Sequence, residues 1–196
     1  MKLTNQRGFS LLELLIGLVL AGLIGTAVAT VMLQNSRLNR SQQLLANAQN
    51  NARASMDLVV SRLRSAGWDP MGAGIGVVAT DPDLGDDISQ IETFADFDED
   101  NSTTSAGEQV LIRHNVNRIE WRLTGNVADP FEVVAMGITN DENGDGVVEP
   151  MFQPDNPTNP SVITVQITAQ SPAADPRTGE LIRYTLRNEV TLRKKL

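Results

Sequence analysis

The sequence predicts an α+β fold: one long N-terminal α-helix, with a membrane-length first half, packed on a C-terminal antiparallel β-sheet. Three observations lead to this prediction. Residues 9–33 are apolar apart from one carboxylate and a few small polar residues, residues 42–67 carry an apolar stripe with helical spacing, and the rest of the chain alternates like strands. Helices repeat about every 3.6 residues and strands every two, so the change of period marks a change of structure. We therefore expect a helical first third and a β-domain at 68–196.

The apolar run is long enough to cross a membrane. Its 25 residues correspond to roughly 37 Å of helix, more than the ~30 Å of a hydrocarbon core. Lys2 and Arg7 precede the run and no basic residue follows until Arg37, which predicts a cytoplasmic N-terminus and a periplasmic domain. An ordinary secretory signal is the alternative, but the run is too long and no small-x-small cleavage site follows.

Glu13 is the unusual residue of this segment, because no other charged residue occurs between Arg7 and Arg37. An ionised side chain in hydrocarbon costs on the order of 3 kcal/mol or more, so an isolated carboxylate there is a candidate functional residue. Gly17, Ala21, Gly25 and Ala29 repeat every four residues, which favours close approach of a neighbouring helix.

The Gly8-Phe9 junction, Glu13 and the apolar run together resemble the class III signal of the type IV pilin superfamily. The resemblance implies that a prepilin peptidase removes the leader at 1–8, and that the new N-terminal Phe9 is methylated. It also implies that Glu13, the fifth residue of the mature chain, attracts the N-terminal amine of a neighbouring subunit. An unpaired carboxylate in a low-dielectric core does favour a cationic partner.

The second half of the helix, residues 34–67, is predicted to be amphipathic and to form the spine of the domain. We expect the helix to end near Ala66 with Gly67 as its C-cap, since Pro70 follows. The segment from Arg62 to Pro70 resembles PilW-type minor pilins in its arginine-rich turn followed by Ala-Gly-Trp. The predicted apolar stripe consists of Leu45, Ala48, Ala52, Met56, Val59 and Leu63.

Six strands are predicted after the helix. The clearest alternation lies in 161–170 and 181–192, and the turn-rich stretch 171–179 between them predicts a long hairpin. Residues 71–76 are glycine-rich and predict a loop. The other strand candidates are residues 88–95, 109–114, 118–123 and 131–136.

Composition excludes several classes of function. The net charge is −8, and removal of the leader with its two basic residues and no acid makes it −10, so nucleic-acid binding by the domain is not expected. The chain has no cysteine and one histidine, His114, which excludes cysteine nucleophiles and leaves little for His-dependent catalysis. His114 is expected to be a partly exposed residue at a strand end, and no enzymatic activity is predicted.

Two acidic loops are candidate calcium sites. Asp141, Asn143 and Asp145 alternate before Gly146, and this spacing is typical of a calcium loop. Val147 could add its carbonyl and Glu149 a carboxylate, but Phe152 stands where an EF-hand has its bidentate Glu, so the motif is incomplete. A solvated turn is the alternative, because Asn-Gly and Asp-Gly are ordinary turn formers.

The other loop carries Asp96, Asp98 and Asp100 at alternate positions, with Glu108 downstream. Nine acids and no base occur from Asp81 to Asp100, and their mutual repulsion favours a bound cation. A solvated acidic loop is again the alternative.

The resemblance implies a structural subunit, a minor pilin that helps to initiate or cap a type IV pilus. Its implied partners are prepilin peptidase and, through the N-terminal helix, other major and minor pilins. It would sit in the inner membrane as a single-pass protein and then in the pilus at the cell surface. The alternatives are a minor pseudopilin of a type II secretion system and a calcium-dependent adhesive module at a pilus tip.

Overall fold

The computed structural model describes residues 10–70, 90–123, 126, 128–156 and 160–193, and the backbone of 78–80. Within these residues one helix, α1, is followed by eight strands, and all their strand pairs are antiparallel. The predicted α+β class is therefore confirmed. The bounds are α1 Leu11–Ser65, β1 Val78–Thr80, β2 Gln90–Phe94, β3 Gln109–Asn115, β4 Arg118–Arg122, β5 Glu132–Met136, β6 Phe152–Pro154, β7 Val162–Ala174 and β8 Leu181–Thr191.

The helix ends close to the predicted residue. Ala66 is the C-cap, and Gly67, predicted for that role, follows it with φ +76°, a left-handed conformation that glycine adopts without steric cost. The Gly67 N–H donates to the carbonyl of Phe94 at 2.8 Å. The end of α1 is thereby attached to the end of β2.

Only the second half of α1 is buried, beginning at Leu44. The predicted stripe is correct except at its start, where Leu44 is buried and Leu45 is 38% exposed. The buried residues are Leu44, Ala48, Ala52, Ser55, Met56, Val59, Val60 and Leu63. This face packs mainly on β7 and β8 and to a smaller extent on β5.

The strands form two sheets where one was expected. The first has the order β1-β2-β3-β4-β5, and the second has the order β6-β7-β8. An isolated bridge between Ile138 and Ala169 joins them, and the buried side chain of Asn140 adds bonds to Gln166 O at 3.1 Å and from Thr168 N at 2.9 Å. The predicted hairpin is present, but β7 continues to Ala174 through an irregularity after Gln170. Residues 171–174, predicted as part of its turn, are therefore strand.

The structure also contains two short strands that were not predicted, and it corrects the expected position of His114. β1 and β6 were not predicted, since three residues are too few to show a period. His114 is fully buried within β3, with its Nε2 2.9 Å from the carbonyl oxygen of Ile138. The predicted loop at 71–76 and the leader 1–8 lie outside the described residues.

Candidate functional site

The N-terminus of α1 brings Ser10 and Glu13 together in a capping box. The Glu13 N–H donates to Ser10 Oγ at 3.1 Å, and the Ser10 N–H donates to Glu13 Oε2 at 3.0 Å. The sequence Ser-x-x-Glu is the signal for this motif, although the capping box was not predicted. Glu13 thus has a structural role within its own helix besides the assembly role that the resemblance implies. Gly8 and Phe9 lie outside the described residues.

The first half of α1 has no partner among the described residues. Its large apolar side chains from Leu11 to Leu33 are about half exposed or more. A Cβ added at Gly17 or Gly25 would meet no atom within 4 Å, so the small-residue face is open. By length and composition this is the one helix in the described part of the chain that could cross a membrane. The segment is therefore available for lipid or for other helices.

The first acidic loop, residues 96–108, gathers three carboxylates. Oxygens of Asp96, Asp98 and Glu108 all lie within 4.8 Å of one another, and Asp96 and Glu108 are buried. Glu108 Oε1 accepts the N–H of Phe97 at 2.8 Å and that of Asp98 at 3.1 Å, while Oε2 accepts the N–H of Ser105 at 3.1 Å. Glu108 is thus the residue that shapes the loop.

The same loop holds Asp100 outside the cluster. Asp96 accepts the N–H groups of Asp100 at 3.2 Å and Asn101 at 3.1 Å, so Asp100 contributes its backbone to the cluster. Loss of hydration raises the pKa of the Asp100 carboxyl, and the nearby charges of Asp98 and Glu108 raise it further. Of the three predicted ligands, the structure therefore brings Asp96 and Asp98 together. The third carboxylate of the cluster is Glu108, and Asp100 lies outside it.

The Asp98 carboxylate accepts a short hydrogen bond from a side chain of the same loop. The Ser105 hydroxyl donates to Asp98 Oδ2 at 2.6 Å and lowers the pKa of that carboxyl. No basic side chain forms an ion pair with Asp96, Asp98 or Glu108 within the described part of the chain. A cation would consequently meet three carboxylates that have no ion-pair partner among the described residues.

The second acidic loop, residues 141–149, is closed by bonds to its own backbone. Asp141 is buried and accepts the N–H of Gly144 at 2.6 Å and that of Gly146 at 3.2 Å. A guanidinium nitrogen of Arg183 lies 3.9 Å from Asp141 Oδ2, and a Cβ added at Gly144 would come within 2.5 Å of the same guanidinium. A basic group from β8 therefore already lies over this loop.

The remaining predicted ligands of the second loop also bond locally. Asn143 Oδ1 accepts from Asp145 N at 3.1 Å, and Asp145 Oδ1 accepts from Val147 N at 2.7 Å. Glu149 Oε2 accepts the N–H of Glu142 at 3.0 Å. Oxygen donors of this kind are what calcium prefers. Of the two loops, the first has the closer set of carboxylates, and no basic side chain of the described residues pairs with them.

Comparison with known protein families matches residues 3–29 to the prokaryotic N-terminal methylation motif. The match includes Gly8, Phe9 and Glu13, the residues on which the predicted processing and assembly depend. Comparisons with curated proteins and with solved structures gave no match. The chain carries the class III prepilin signal at its N-terminus, followed by a pilin-like helix and β-domain, and this supports its placement in the type IV pilin superfamily.

Proposed function

We propose that this protein is a minor pilin, most like the PilW type, which helps to initiate or cap a type IV pilus. The observation that carries the proposal is the methylation motif at residues 3–29, followed without a break by an exposed apolar helix that becomes the spine of the domain. The motif supports a pilin-like or pseudopilin protein that is processed by prepilin peptidase. The signal also suggests a structural protein rather than an enzyme.

The open half of α1 explains why such a subunit needs a membrane or a filament. Burying one Leu, Ile or Val side chain is worth roughly 1.5–3 kcal/mol, and this half exposes a long series of them. Lipid provides that burial before assembly, and neighbouring helices provide it in a filament. Helix and signal fit an inner-membrane-anchored pilin whose domain lies in the periplasm and afterwards at the cell surface.

The assembly role of Glu13 can be separated from its capping role by three variants of the full chain. Glu13→Ala removes both the charge and the cap. Glu13→Gln removes the charge but keeps a capping box, since Gln serves at this position as well as Glu. Ser10→Ala removes the reciprocal side-chain acceptor and keeps the charge.

If Glu13 attracts the amine of a neighbouring subunit, Glu13→Gln should fail to enter filaments just as Glu13→Ala does, while Ser10→Ala enters them. All three variants should still be processed. The readout is the amount of each chain in sheared filaments relative to the membrane fraction. Normal incorporation of Glu13→Gln together with poor incorporation of Ser10→Ala would show that the cap matters and would refute the charge-pairing role.

Peptide mass spectrometry of native cells separates the pilus from its alternative. A peptide that begins with N-methylated Phe9 in purified filaments supports the minor pilin. The same peptide confined to the membrane favours a pseudopilin of a type II secretion system. A chain that retains residues 1–8 in every fraction would refute both.

We also propose that calcium orders the acidic loops, and that the first loop is the stronger site. The proposal is supported by the convergence of Asp96, Asp98 and Glu108 and by the absence of an ion pair to them among the described residues. Extracellular calcium modules bind with dissociation constants of roughly 0.1–1 mM. Titration calorimetry on a fragment beginning at Arg37 tests it, and an absence of heat at millimolar calcium would contradict it. A calcium-dependent adhesive role would further require a surface ligand that binds only with calcium present.

A further inference from the structure

A groove runs between α1 and β5, and we call it the α1–β5 groove. It consists of two adjoining cavities of about 580 and about 310 Å³, which share Asn51 and Met136 in their walls. One wall is the stretch of α1 from Asn47 to Leu58, and the other includes Val134 and Ala135 of β5. The volumes are in the range of ligand-binding clefts.

The strand that forms the second wall is the open edge of the five-stranded sheet. β5 pairs with β4 and with no other strand in the described part of the chain. The backbone of residues 133–136 makes no hydrogen bond to any other described element. An edge strand of this kind presents a row of unpaired N–H and C=O groups, which a further strand can pair with.

The helical wall of the groove is longer than the wall formed by β5. The helical wall spans 11 residue steps, or roughly 17 Å at 1.5 Å per residue. β5 lines the cavities only with Val134, Ala135 and Met136, which extend over roughly 7–10 Å at about 3.3 Å per residue. The helical wall therefore has the length of about five residues of extended chain, of which about three can lie beside the edge of β5.

The chemistry of the lining is uncharged and rich in amides. Among the described residues, no Asp, Glu, Lys, Arg or His lines either cavity, although one residue in five of the chain is charged. Five amide side chains face the larger cavity, and none of them makes a side-chain hydrogen bond within the described residues: Asn47, Asn50, Asn51, Asn117 and Gln170. Each offers both donors and an acceptor, as a peptide group requires. A charged ligand would find no counter-charge here.

Exposed apolar side chains surround the groove. Met136 is 68% exposed and Leu181 38%, and both line the larger cavity. Val133 of β5 and Val116, next to Asn117, are exposed as well. Apolar residues gathered in this way beside polar ones are typical of a surface that contacts another protein.

From these features we infer that the α1–β5 groove binds an extended, uncharged segment of a second polypeptide, which adds a strand to the edge of β5. The open backbone edge favours a peptide over a saccharide, because only a peptide can continue the ladder of backbone hydrogen bonds. The inference rests on the proposed function in so far as the second polypeptide is a neighbouring subunit of the same assembly.

Photo-cross-linking in the native cell tests this, with p-benzoylphenylalanine placed in the full chain at Asn51 or at Met136. Asp57, exposed on the same helix and absent from both cavities, is the control position. We expect adducts from both groove positions and none from Asp57. Sequencing of the cross-linked peptide should give the same stretch of a second polypeptide from both positions, without charged residues.

A charge placed in the groove should weaken the adduct. With the photoreactive residue at Met136, Asn51→Asp should lower the adduct at least tenfold, whereas Gln42→Glu, an equivalent change at an exposed position of α1, should leave it unchanged. Equal adducts in the two variants, an adduct to lipid or saccharide, a charged cross-linked segment, or no adduct from either groove position would each overturn the inference. The proposed role as a minor pilin is tested separately, by methylation of Phe9. That methylation is expected whether or not the groove binds a peptide.

Discussion

Replacement of Glu108 by Gln tests the first acidic loop directly. The side chain is buried and accepts three backbone N–H groups, two at Oε1 and one at Oε2. In the Gln variant an amide NH₂ takes the place of one oxygen, so either the Ser105 N–H or the pair at Phe97 and Asp98 loses its acceptor. The lost hydrogen bond lowers the free energy of unfolding by about 1–3 kcal/mol, both with calcium and without it. The variant also removes one of the three converging carboxylates.

Comparing each protein with and without calcium cancels the folding cost and isolates the effect of the ion. At about 10 mM calcium, some 100 times a dissociation constant of ~0.1 mM, binding stabilises the folded state by about 2.7 kcal/mol. For a domain of this size that corresponds to a rise in Tm of roughly 5–11 °C. We expect Glu108→Gln to lose most of this rise.

Thermal unfolding of the fragment beginning at Arg37, in calcium and in chelator, is the assay. Glu149→Gln is the matched control, because Glu149 also accepts a backbone N–H, from Glu142 at 3.0 Å, but belongs to the second loop. An equal calcium-dependent rise in wild type and Glu108→Gln would refute a site at the first loop. Loss of the rise in Glu149→Gln alone would assign the ion to the second loop instead.

Three further predictions concern the stability of the domain. Leu63→Ala should lower the free energy of unfolding in urea by about 2–5 kcal/mol, because Leu63 is fully buried, whereas the same change at the exposed Leu45 should cost far less. Burial acts to raise the pKa of the Glu120 carboxyl, but bonds and charges led by Arg113 hold that pKa below 4.5. The ionised Glu120 therefore contributes to the free energy of unfolding above pH 4.5, and this contribution is lost as the pH falls through the folded-state pKa. Glu120→Gln should make the free energy of unfolding depend less on pH in this range. Burial lowers the pKa of His114 below 6.5, so the free energy of unfolding should fall as the pH drops below 6.5. His114→Gln should reduce this dependence on pH. An unchanged dependence in that variant would show that His114 is not its cause.

The elements with long, clear periodicity could be predicted from the sequence. The helix was expected to end near Ala66 and ends at Ser65, and the candidate strand at 109–114 is one residue shorter than β3. Leu44 and Leu45 show where the pattern becomes ambiguous, since both are apolar and the helix could bury either one. The tertiary packing against β7 and β8 decides between them.

His114 was misplaced because the strand sequence does not show which face of β3 is inward: His114 shares the buried face with Val110 and Ile112. Val110, Leu111 and Ile112 are consecutive buried residues, so alternation does not show which face of β3 is inward. On the outer face the ring of Phe131 lies 3.5 Å from the guanidinium carbon of Arg113 and 5.1 Å from that of Arg122, and Arg122 itself is buried. Residues from a later part of the chain therefore cover a face that the strand sequence alone suggests is exposed.

The two acidic loops differ in whether a basic side chain from another part of the chain lies beside them. Asp141 lies near Arg183 because β8 pairs with β7, which places this residue of β8 over the loop. In the first loop no ion pair within the described residues balances Asp96, Asp98 and Glu108, and Glu108 is held there because β3 begins directly after it. A bound cation stabilises a loop most where the protein itself places no positive charge beside buried carboxylates that repel one another. Alternate acids in a sequence thus identify candidate loops, but strand pairing determines which loop leaves its charge for an ion to neutralise.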